Sequence, residues 1–216
     1  MRFTALSTLV GAAVLTLSTA SQAQVVIHSN FGPGDSFNMV SGNLVLGPDE
    51  ASIGNVDQAM SFTVGAIDTY FTSAELGLRL TDGFDFLNVL LMSDAGGLPD
   101  SVLLSMGVSG LPGPDVPAIV TASAGAAVLL SANTTYWIAA DAGSDTEIVW
   151  HRNSIGDLGR AGRAGDPVGP WNFNPDQETL AFRVNGRLVP APGFGMLALL
   201  AGGAAAARRR RDGGAL

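Results

Sequence analysis

Residues 24 to 189 predict an all-β domain, a single β-sandwich with jelly-roll or Greek-key connections, set between an N-terminal signal helix and a short C-terminal transmembrane helix. Three observations lead there. Glycine, proline, serine, asparagine and aspartate recur about every ten residues and cut the body into short apolar segments. Between Phe71 and Leu80, the residues Ala74, Leu76, Leu78 and Leu80 alternate with Glu75, Gly77 and Arg79, the period of two of a half-buried strand. No stretch of the body carries the longer period of an amphipathic helix.

Taken in order, residues 1–23 have the layout of a secretory signal: Arg2, an apolar run from Leu9 to Leu17, then Ser21 and Ala23 as the small residues before a cut at Gln24. Strands are predicted at Val25 to Ile27, Ala59 to Val64, Phe71 to Leu80, Phe86 to Met92, Val102 to Val108, Ile119 to Ala122, Ala126 to Leu130, Tyr136 to Ala140, Glu147 to Trp150 and Leu180 to Val184. Ser93 to Pro99 holds a turn aspartate, Asp94, and two glycines free to take positive φ, while Asn133-Thr134 suits a hairpin turn. Gly110 to Pro117 and Gly156 to Pro175 are rich in glycine and proline and read as irregular surface loops. Cysteine is absent, so packing must hold the domain together.

Residues 190–216 form the third segment. Pro190-Ala191-Pro192 precedes an apolar run from Phe194 to Ala207, followed by Arg208, Arg209, Arg210 and Arg211. A helix over that run reaches about 21 Å, against roughly 30 Å of hydrocarbon. The arginines resist translocation, so the run is expected to stall in the membrane with its N-terminal side outside. The proline motif, short apolar helix and arginine tail together resemble the PEP-CTERM sorting signal of Gram-negative bacteria. Here Ala191 stands where that family has glutamate. The resemblance implies an exosortase-type processing enzyme as partner, a transient inner-membrane intermediate, removal of the tail near the proline motif, and release or attachment at the cell surface, often among exopolysaccharide.

A second resemblance covers most of the body. Ala59-Met-Ser-Phe-Thr-Val-Gly65, Leu76-Gly-Leu-Arg-Leu80, Val89 to Pro99, and Leu130 to Ala140 followed by Trp150 are similar to the choice-of-anchor R type of exported domain, whose members carry alternative C-terminal anchors.

All 11 basic residues are arginine, and five of them lie in the two end segments. The body therefore keeps 6 arginines against 18 acids, a formal charge of −12, which disfavours nucleic acid and anionic lipid as partners. No cofactor is implied. A structural calcium ion is weakly suggested by Asp82, Asp85, Asp141 and Asp145 in two acidic loops, although neither loop has EF-hand or nonapeptide-repeat spacing. Histidine occurs only at His28 and His151, and no Gly-x-Ser-x-Gly elbow is present, which gives serine-hydrolase and zinc chemistry little to work with. Trp137 reads as a core anchor. Trp171, in Gly169 to Pro175, is the candidate sugar contact, its alternative role being to cover the end of the core. The function expected is an exported, non-enzymatic surface or extracellular-matrix protein. The alternative is a carbohydrate-binding module acting on exopolysaccharide, with a secreted hydrolase further behind.

Overall fold

The structure is a computed structural model that describes residues 23–49, 54–165 and 170–189. The signal segment and the sorting segment, with Pro190 to Pro192 and Arg208 to Arg211, lie outside the described residues. The body is all-β. Its strands are β1 (Gln24–Ser29), β2 (Asn38–Leu46), β3 (Asn55–Thr63), β4 (Thr69–Gly83), β5 (Leu87–Asp94), β6 (Pro99–Val108), β7 (Ala118–Leu130), β8 (Thr135–Ala142), β9 (Thr146–Arg152), β10 (Leu158–Gly165), β11 (Asn172–Glu178) and β12 (Phe182–Leu188). Among the described residues the only helical element is a 3-10 turn, Pro33–Asp35.

Every strand pair is antiparallel, and the order β1-β12-β4-β9-β2-β3-β8-β5-β6 forms one curled sheet. Its spine is β4, whose 15 residues exceed any single neighbour. One edge of β4 pairs with β12 along its first half and β9 along its second, and the other edge pairs with β7. The curl brings β6 alongside β7. Non-consecutive strands are therefore neighbours at β4-β9-β2 and β3-β8-β5, which only long crossing connections can produce.

The period of two decides what lies inside. Ala74, Leu76 and Leu78 of β4 are fully buried, as the alternation predicted, and join Met60 and Phe62, Val89 and Leu91, Ile138, Ile148 and Trp150, and Phe182 and Val184 in one core. At about 1.5–3 kcal/mol per large apolar side chain, this cluster is the main source of stability in a chain without disulfides. Trp150 is accommodated because its Nε1 donates to the Ala181 carbonyl at 2.9 Å. Buried Asn30 ties the end of β1 to β12: its amide donates to Leu180 O at 2.9 Å, and its Oδ1 accepts from Phe182 N at 2.7 Å.

Three expectations need correction. β2 is absent from the predicted strands; it carries Ser41-Gly42-Asn43 mid-way, and its pairing with β9 shifts register between Asn38 and Gly42. Gly42 is needed there, since a Cβ would stand 2.4 Å from Val149 Cγ1 and 2.7 Å from Trp150 O. The two strands expected at Ile119 to Ala122 and Ala126 to Leu130 are one, β7, and the apparent break is a bulge in its pairing between Phe71 and Ser73 of β4. Most consequentially, Gly156 to Pro175 is not a loop throughout: it contains β10 and most of the hairpin it forms with β11. Pro175 is tolerated because, among the described residues, the outer edge of β11 is unpaired. By contrast, Gly110 to Pro117 is irregular as expected. It is tied down where Leu80 N donates to Pro112 O and Arg79 Nη1 donates to Pro114 O.

The first and last strands are neighbours. Gln24 pairs with Arg187, so the chain enters and leaves the body at the same end of the same edge.

Candidate functional site

The β10–β11 hairpin continues the sheet beyond β3, with Ala161 opposite both Ala59 of β3 and Phe173 of β11. Alternation then puts Ala161, Arg163 and Phe173 on the sheet face that points away from the main core. Ala59, Ala139 and Ala161 are all fully buried on this face. Their small side chains leave room for larger rings to lie flat, and with Leu90, Met92 and Trp137 they form a second apolar cluster against which Trp171 packs.

Trp137 is the floor of the site. It is 1 % exposed, yet it belongs to this outer cluster rather than to the main core. Its Nε1 donates to Asp94 Oδ1 at 2.8 Å, and Asp94 Oδ2 accepts from Gly97 N at 3.2 Å. One carboxylate thus fixes both the indole and the Ser93 to Pro99 turn, whose Gly96 and Gly97 take the positive φ expected of them. Phe173 stands edge-on to Trp137, with ring centroids 6.3 Å apart at 83°. Gly159 makes room for that ring: its φ is +106°, and a Cβ there would meet Phe173 Cζ at 3.3 Å.

Trp171 is held from the other side. The Arg163 guanidinium lies 4.5 Å from the centre of its ring, and Arg163 Nε donates to buried Asp57 Oδ2 at 2.6 Å. Burial pushes the Asp57 carboxyl up to about 6, against the pull of Arg163 and with some help from the neighbouring Asp141. Asp141 is itself raised, first by burial, with Arg163 acting in the opposite direction.

These elements enclose an open cleft of about 570 Å³, whose lining includes Ser61, Asp94, Thr135, Trp137, Trp171 and Phe173. Trp171 is half-buried and Phe173 is 46 % exposed, so apolar ring surface faces solvent beside hydroxyl, carboxylate and, at Asn172, amide groups. Such a mixture is chemically suited to a ligand that is flat and apolar on one side and rich in hydroxyls at its rim. Trp171 thus covers an apolar cluster, although not the end of the main core, and also lines the cleft.

The other singled-out residues lie elsewhere. Asp82 Oδ1 accepts from Gly83 N at 2.8 Å, and the Asp85 carboxylate accepts from Gly110 N and Leu111 N at 2.9 and 2.7 Å, so both act as loop ties. Asp145 occupies the β8–β9 turn with φ +49°. Among the described residues no three histidine, cysteine, aspartate or glutamate side chains converge as a metal site requires. His28 packs on Phe182, with ring centroids 4.7 Å apart, and buried His151 places Nδ1 3.0 Å from Asn38 O. Burial pushes both imidazoles down, more than nearby groups pull them back.

No family model, curated protein or solved structure matches the chain. The site must be judged on its own geometry. Its parts that sequence reasoning missed are Phe173 and the pairs Asp94–Trp137 and Asp57–Arg163. Asn172-Phe173-Asn174 carried a faint signal, a lone aromatic alternating with polar residues.

Proposed function

We propose that the chain is an exported, non-enzymatic surface or extracellular-matrix protein of a Gram-negative cell, whose β-sandwich body binds carbohydrate in the Trp171–Phe173 cleft. The observation that carries the binding is the cleft itself: two solvent-facing rings over a fixed indole, with hydroxyl, amide and carboxylate groups at the rim. A sugar ring offers the matching surface, an apolar face of C–H groups with hydroxyls around its edge, and aromatic pairing geometry suits that face.

The export half of the reading is supported by the two terminal segments. An exosortase-type enzyme would act at Pro190-Ala191-Pro192 while Phe194 to Ala207 rests in the inner membrane and Arg208 to Arg211 stay behind it. The neighbouring positions of Gln24 and Arg187, at the two ends of the described body, fit this route, because a body tethered at Val189 would keep a single end turned toward the membrane. Exopolysaccharide is then the carbohydrate within reach.

Two measurements on protein recovered from the exterior of expressing cells test the reading. Intact mass should show loss of residues 1–23 and of the arginine tail; a species still carrying Arg211 contradicts the processing. A glycan screen should return at least one oligosaccharide that binds, and a blank screen contradicts the cleft assignment.

A further inference from the structure

A second depression, of about 250 Å³, lies on the same hairpin and shares Asn172 with the aromatic cleft; Gln58, Arg160, Arg163 and Asn174 are among its lining residues. The register explains its separate character. Asn172 is opposite Gly162, and Asn174 is opposite Arg160, so these positions alternate with Ala161 and Phe173, although Asn172 borders both depressions and Arg163 reaches this one from the Ala161 face. Gln58 joins them as the cross-strand partner of Gly162, and its amide nitrogen is engaged with Leu44 O at 3.1 Å.

Arg79, Arg160 and Arg187 have no carboxylate partner among the described residues, and of these Arg160 is the one that lines this depression. Three other arginines have a carboxylate close by: Arg163 has Asp57, Arg152 has Glu178, and Arg183 has Asp35 and Glu75. Among the described residues Arg160 has none. Its Nη2 donates to the neutral Gln177 Oε1 at 3.2 Å, while its Nη1 is buried without a partner. Burial, and then the positive charge of Arg152, disfavour its cationic form. Guanidinium nevertheless keeps its proton, so the site holds a fixed, partly desolvated cation. In a body with three acids for every arginine, a cation left without an acid in a concave site calls for an anion from outside. Gln58 Oε1, also buried and unpartnered on the same wall, asks for a donor such as a hydroxyl.

We infer that this depression binds the carboxylate of an acidic sugar, a uronate unit, with the Arg160 guanidinium donating to the carboxylate and the Gln58 side chain meeting a ring hydroxyl. Exposed Asn172 and Asn174 supply further amides at the rim. The body's charge of −12 opposes a long polyanion, but screening over about 8 Å at physiological salt leaves the local guanidinium in control of one carboxylate. The inference rests on the carbohydrate reading of the cleft and adds the class of sugar.

The test titrates the exported protein with a short oligouronate and with the same oligosaccharide after its carboxyls have been reduced to neutral alcohols. The acidic form should bind at least tenfold tighter. Arg160→Gln should erase that preference while leaving the neutral form's affinity unchanged, and Arg160→Lys should restore part of it. Equal affinity for both forms, or a preference that survives in Arg160→Gln, overturns the uronate site. If only the neutral form binds, the cleft reading stands and this inference falls. If neither form binds, both fall. Acetate competing at the same concentration as the oligouronate would overturn the sugar component. Thermal melts of both variants exclude unfolding as the cause.

Discussion

At the residue scale, Asp57 sets a pH dependence whose sign can be worked out. Its folded carboxyl holds a proton up to about 6, against 3.8 for the ordinary group. Between these values the folded chain binds more protons than the unfolded one. Stability contributed by this group is therefore present at the acid end and lost as pH rises through 6, by up to about 3 kcal/mol. A series of thermal melts from pH 4 to pH 7 should show this fall, and Asp57→Asn should flatten it; an unchanged slope in the variant would place the effect elsewhere. Asp94 is argued differently, from geometry. Asp94→Ala leaves the buried Trp137 Nε1 without an acceptor and the turn without its tie, so a loss of about 1–3 kcal/mol in denaturant unfolding is expected. No change would show that the indole finds another acceptor.

At the element scale, the β10–β11 hairpin carries both depressions, so its conformation should control binding more than folding. Gly159 is its weak point, with φ +106° and the Phe173 ring close by. Gly159→Ala should cost about 1–3 kcal/mol and displace Phe173, read as weakened sugar binding together with a lower melting temperature. Binding at full strength would show that the edge-on ring is not required. How legible these elements were depends on the kind of signal each carries. β4 could be read because its alternating leucines face one core. The hairpin could not, since Leu158-Gly-Arg-Ala-Gly-Arg-Ala-Gly165 has no large apolar period and is held by pairing to β3 and by alanines that make space. Its role depends on partners distant in sequence: Asp57 lies 106 residues from Arg163, and Asp94 lies 43 from Trp137. Nothing local announces such a pair. Trp171 was legible as a residue but not as a position, because its setting is made by β3, β5 and β8.

At the scale of the whole molecule, the described residues form a curled antiparallel sheet whose first and last strands are neighbours, which suits the proposed tethered intermediate. Replacing Arg208 to Arg211 with alanine should release the precursor from the membrane fraction before processing; unchanged fractionation would contradict the proposed retention. Trp171 packs outside the main core, so binding and folding should separate for a substitution there. The most direct measurement is isothermal titration of the exported protein, wild type and Trp171→Ala, with the oligosaccharide found by the glycan screen. The account predicts at least a tenfold loss of affinity, about 1.4 kcal/mol or more, with the main unfolding transition shifted little. Equal affinity in the two proteins would contradict it.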